Sequence, residues 1–175
     1  DISLHLSKQG NIVYSGFNSK NDQKRVKNII PIKLDVTNDR SVKLAVEQII
    51  KKSGRIDVLI NCAGVTKSGR VENSTIEEFD QLLEINTKGA YRMIQAVIPL
   101  MKKQKSGKII NITSMSVLIS FPNFGIYSAS KFALEAFSTA LRYELFLDGI
   151  WVTNVEPGAI KSESTKKVEM PQQTF

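Results

Sequence analysis

Lys108-Ile-Ile-Asn-Ile-Thr113, then Tyr127-Ser-Ala-Ser-Lys131 opening a long amphipathic stretch, then Trp151-Val-Thr-Asn-Val155: these three pieces decide the fold. The first and third have strand length and are rich in Ile and Val. The stretch between them runs from Tyr127 to about Leu147, which is helix length, and it ends near Gly149, a residue suited to a left-handed cap. Apolar strands alternating with helices belong to parallel sheets covered by those helices.

The same alternation extends outward. Residues 11–15, 29–34 and 56–61 are further strand-like runs, expected to be buried on both faces. Residues 41–53 place Val42, Ala45, Val46, Ile49 and Ile50 on one helical stripe. Thr75-Ile-Glu-Glu78 reads as a capping box opening one helix to about Lys105. Ile2, Leu4 and Leu6, before Gly10, suit the tail of a helix. No repeat, low-complexity tract or linker interrupts the chain. The reading is one α/β domain over residues 1–175: a doubly wound, Rossmann-like parallel sheet with helices on both faces.

Composition narrows the function. Of 175 residues, 42% are hydrophobic and 23% charged, the balance of a soluble globular protein with a sizeable core. No apolar run approaches the roughly 20 residues of a membrane span. The net charge of +7 comes from dispersed lysines without interleaved aromatic residues, so a solvated surface is expected and not a nucleic-acid platform. One His and one Cys give no metal-ligand spacing, and no metal is expected. The single Cys62 excludes an internal disulfide and fits a reducing, cytoplasmic compartment.

The chemistry concentrates between Asn111 and Lys131. Tyr127 and Lys131 stand four apart, so on a helix they share a face. A nearby ammonium favours a phenolate, and such a phenol can pass the proton that accompanies hydride transfer at a carbinol carbon. Ser114 follows the strand end at Thr113, where a hydroxyl could hold a substrate oxygen. Asn61-Cys-Ala-Gly64 and Pro157-Gly158 end two further strands, and ligands of open α/β sheets bind at such carboxyl ends.

These motifs, in this order, resemble the short-chain dehydrogenase/reductase family in its roughly 250-residue form. Asn61-Cys62-Ala63-Gly64 is similar to the family's N-N-A-G; Ser114 stands thirteen before Tyr127, and Lys131 four after it. Asn86 matches the family's catalytic asparagine, and Pro157-Gly158 with Ser162 its P-G-x-x-x-T segment. The resemblance implies an NAD- or NADP-dependent oxidoreductase that interconverts a secondary alcohol and a ketone. It implies Tyr127 as general acid/base, Lys131 as the cation beside it and holder of the nicotinamide ribose, Ser114 as the substrate-orienting hydroxyl, and Asn86 as holder of a water on a proton path. It implies cofactor contacts at Asp35, Val36, Asn61, Ala63, Gly64, Tyr127, Lys131, Pro157, Gly158, Ile160 and Ser162. For Asp35 a helix N-terminal carboxylate before Thr37 is an alternative reading, and both can hold. The partners implied are a small alcohol or carbonyl, lipophilic by analogy, and further copies of the chain in a homodimer or homotetramer.

Three departures qualify this. Cys62 replaces the second Asn of the motif, and a thiol cannot copy an amide's donors and acceptor. The stretch Tyr14-Ser-Gly-Phe-Asn18 lacks the acid that would bind the NAD 2′-hydroxyl; with Lys20 close by, it leans toward NADP. No glycine-rich phosphate loop is present, and the family's first and last strands are absent. The strands at 11–15 and 56–61 would therefore be interior edges, and the chain alone is expected to be loosely folded. A non-catalytic dinucleotide-sensing module and an incomplete, inactive product are the competing readings.

Overall fold

The apolar runs form five strands in a computed structural model that describes residues 2–18 and 26–160. The strands are β1 (Val13–Phe17), β2 (Ile29–Lys33), β3 (Val58–Asn61), β4 (Gly107–Ile112) and β5 (Ile150–Val155). Every pairing is parallel. The helices are α1 (Ile2–Lys8), α2 (Asp39–Ser53), α3 (Ile76–Leu82), α4 (Gly89–Gln104) and α5 (Gly125–Glu144). The alternation is that of a Rossmann-like α/β fold.

Local chemistry sets the helix ends. The Asn38 carboxamide accepts from the Ser41 amide to start α2, and Gly54 ends it at φ 74°. The capping box at Thr75 and Glu78 forms in full and opens α3. After α5 a short turn over Phe146–Asp148 runs into Gly149, also at φ 74°. The helix read over 127–147 is thus shorter at its end, and its stop signal is the one expected.

The stretch from Thr75 to about Lys105 is not one regular helix. Between α3 and α4 the backbone makes a π-helical turn, Leu83–Lys88, with Asn86 buried inside it. Such turns accommodate one extra residue and recur at functional sites.

The strands divide into two sheets, β1–β2 and β3–β4–β5. The two strands expected to be interior edges, β1 and β3, each border a separate sheet among the described residues. Burial in β3–β5 alternates. Leu59, Ile109 and Val152, in register across the three strands, face a core with Ile94, Val97 and Met101 of α4. Full burial of such a side chain stabilises by about 1.5–3 kcal/mol. Val58, Lys108 and Trp151, also in register, point the other way and are exposed. Burial on both faces was expected and holds on one, because α4 and α5 pack on that side only.

Candidate active site

The carboxyl ends of β3, β4 and β5 come together around α5. Lys131 is the joint. It is 6% exposed, and its ammonium donates to the Ile112 carbonyl at 2.9 Å. That contact pins α5 to the end of β4, two residues before Ser114. Burial pushes the Lys131 ammonium down to about 8, against an opposing pull from Cys62. At pH 7 it is therefore still mostly cationic. An ammonium has three donors, and Ile112 accepts one.

Gly64 approaches the same point from β3. A Cβ built there would lie 3.1 Å from Asn86 Oδ1 and 3.5 Å from Lys131 Nζ. Any side chain there would have to push the Asn86 carboxamide aside by a few tenths of an ångström, so glycine suits the position, and Ala63 and Gly64 are both exposed. Asn86 receives the next residue: its Oδ1 accepts from the Val65 amide at 2.8 Å, and its Nδ2 donates to the Val65 carbonyl at 2.9 Å. The second Nδ2 hydrogen goes to Ser130 Oγ at 3.0 Å. Both donors of the amide are occupied, so a water on this residue would have to use another of its atoms.

Tyr127 lies one turn before Lys131 on α5. It is half-buried, with its ring edge-on to Phe124 at a 6.3 Å centroid distance. Ser114 ends the β4 extension. Its hydroxyl accepts from the Ser116 amide at 3.1 Å and caps a short turn, Met115–Val117, that packs against α5. The Met115 amide donates to the Pro157 carbonyl at 3.0 Å, which brings the β5 exit beside Ser114. Gly158 and Ile160 follow on that exit and are exposed.

The remaining expected cofactor contacts lie on other strands. The Asn61 carboxamide turns into the protein and donates to Asn111 Oδ1 at 2.8 Å; Asn111 in turn donates to Ser138 Oγ at 2.8 Å. Asn61 thus ties β3 to β4 and α5 with its side chain. Asp35 accepts from the Thr37 hydroxyl and amide, which hold its carboxyl below the usual carboxylate range. Since Asn38 caps α2, Asp35 orders the turn ahead of the helix and is not its cap. Val36 packs against Gly89, where an added Cβ would come within 2.7 Å of it. Ser162 and Lys20 lie outside the described residues. No cluster of His, Cys, Asp or Glu able to hold a metal occurs among the described residues.

Sequence reasoning missed Ser130, Thr87, Asn111 and Ser138 as site residues. Asn61 and Asn111 carried a usable signal, each a polar residue near the end of an apolar run. The tie from Asn86 to Ser130, 44 residues apart, left none.

The strand ends thus bring the buried Lys131 beside Gly64 and Asn86, with Tyr127 one turn earlier on the same helix and Ser114 two residues past the Ile112 carbonyl that holds the ammonium. The short chain dehydrogenase family model matches residues 4–173, and the chain belongs to that family. It is 44% identical over 153 residues to a 3-ketodihydrosphingosine reductase of Bacteroides thetaiotaomicron, covering 87% of this chain and 56% of the relative. Among solved structures, a short-chain dehydrogenase from Streptomyces avermitilis superposes with a TM-score of 0.75 at 38% identity, over 78% of this chain and 50% of that one. ElxO with NADP bound gives 0.77 at 33%, over 80% and 57%. The chain thus spans little more than half the length of the curated relative. No helix among the described residues is long and apolar enough to cross a membrane.

Proposed function

We propose that this chain forms one NAD(P)-binding domain whose reaction interconverts a secondary alcohol and a ketone. The observation that carries the reading is the buried Lys131 ammonium, fixed on the Ile112 carbonyl one helical turn from Tyr127 and beside Gly64. The donor set fits a nicotinamide nucleotide: Lys131 has donors left for ribose hydroxyls, and Ala63 and Gly64 offer bare backbone. Asp35, Val36, Asn61, Pro157, Gly158, Ile160 and Ser162 complete the proposed cofactor contacts. The bound nicotinamide supplies or accepts the hydride. Ser114 holds the substrate oxygen by its hydroxyl. Tyr127 gives its phenolic proton to that oxygen in reduction and takes it back in oxidation. Lys131 stabilises the phenolate by its charge. Asn86 holds the loop at Val65 against this centre.

NADP is the preferred cofactor in this reading, supported by the absence of an acid in Tyr14–Asn18. The solved structure of ElxO holds the same nucleotide. A lipophilic substrate is supported by Leu118 and Ile119, 66% and 61% exposed just beyond Ser114, and by the similarity to a 3-ketodihydrosphingosine reductase. Tyr91 of α4 and Phe132 of α5, both exposed, support a homodimer or homotetramer through these helices. The single thiol, Cys62, fits a cytoplasmic setting.

Tyr127→Phe tests the mechanism in the intact protein, with NADPH and a long-chain aliphatic ketone as probe. Turnover should fall by about 100-fold or more, while calorimetry finds cofactor affinity within a few-fold of the parent. Turnover within a few-fold of the parent would remove Tyr127 as acid/base.

A further inference from the structure

The Tyr127-Ser-Ala-Ser-Lys131 stretch contains a serine to which the reaction gives no part. Ser130 is fully buried. Its hydroxyl donates to the Tyr127 carbonyl at 2.7 Å and accepts from Asn86 Nδ2 at 3.0 Å. Its own carbonyl accepts from the Thr87 hydroxyl at 2.8 Å. Two consecutive residues of the π-helical turn therefore grip Ser130 from two sides. Asn86 is itself fixed, with both its oxygen and its nitrogen on the Val65 backbone.

A helical serine that only bonds back to its own helix adds little and tends to loosen it. Thr139, on the same helix, does that: its hydroxyl donates to the Glu135 carbonyl and is exposed. Ser130 differs because its oxygen is a junction between two elements. One side of the junction is the loop after β3, where Gly64 leaves room for a ligand. The other is the backbone of Tyr127, next to the buried Lys131. A small rotation of α5 would swing both reactive groups together, and misplacement by about 1 Å at a reacting centre can cost about 100-fold.

We propose that Ser130 is a positioning residue: it locks α5 to the π-helical turn at Asn86 and so fixes where Tyr127 and Lys131 stand relative to the Gly64–Val65 loop. It touches neither substrate nor cofactor. The catalytic consequence rests on the function proposed above; the geometric one does not.

Ser130→Ala in the intact protein tests it with two readouts. Steady-state kinetics with NADPH and a long-chain ketone should show kcat down about 10-fold, with the cofactor KM raised by a smaller factor because Lys131 also holds the ribose. NMR of ε-13C-lysine should show the Lys131 titration midpoint rising from about 8 by at least about half a pH unit, as the loosened site admits water. Thr139→Ala should change neither. A lower melting temperature with kcat within twofold and an unmoved Lys131 midpoint would make Ser130 purely structural and overturn the proposal. If the parent protein shows no turnover, the proposed function fails, and the Lys131 titration alone still decides the role of Ser130.

Discussion

Replacing Lys131 by methionine should stabilise the protein at pH 7, and the gain should vanish as the pH rises. The side chain is buried, and its ammonium titrates at about 8 instead of 10.5. At about 1.4 kcal/mol per pH unit, that difference makes the buried cation about 3 kcal/mol costly to folding below pH 8. Between pH 8 and 10.5 the unfolded chain keeps a proton that the folded chain has released. Stability therefore rises with pH across this window as the penalty is relieved. Methionine removes the charge at nearly the same length but leaves the Ile112 carbonyl without its donor, a loss of about 1 kcal/mol. The net gain is about 2 kcal/mol at pH 7 and close to zero at pH 10. Urea unfolding of parent and variant at both pH values measures it. A variant less stable than the parent at pH 7, or a difference that does not change between pH 7 and 10, would refute the argument that burial sets the state of this lysine.

Two further substitutions probe the frame around the site. Gly149→Ala would force a side chain at φ 74° and put its Cβ 2.5 Å from the Lys105 carbonyl; a loss of about 2 kcal/mol or more is expected in urea unfolding. Asn111→Leu would strand Asn61 Nδ2 inside the sheet and should cost about 1–3 kcal/mol, whereas the double variant with Asn61→Leu should cost less than the two changes summed. Additive losses in that cycle would mean the two carboxamides do not depend on each other.

The strands and helices were legible because apolar runs and helical stripes carry their own period. So was the placement of Tyr127 and Lys131 four apart on one helix, α5. The turn at Leu83–Lys88 was not. One extra residue per turn leaves the apolar pattern of Phe79, Leu82 and Met93 compatible with a regular helix. The contacts Asn86 makes from within the turn, to Val65 and Ser130, reach 21 and 44 residues away in sequence. Burial in β3–β5 was legible only by half. Trp151 and Val58 look like core residues, and nothing in their identity says which face of the sheet the helices cover. The cap of α2, Asn38, was not singled out: Asp35 and Asn38 are both good capping residues, and only the backbone chooses between them.

The reaction proposed for this site moves a hydride between a nicotinamide and a carbinol carbon. The most direct measurement supplies the intact protein with NADPH carrying deuterium at the transferable C4 position, together with a long-chain aliphatic ketone, and analyses the product by mass spectrometry. The expected product is an alcohol one mass unit heavier, labelled at the carbinol carbon, formed about 100-fold more slowly by Tyr127→Phe. Cofactor binding without any deuterated alcohol from a panel of short- and long-chain ketones would contradict it and leave a nucleotide-binding module in its place.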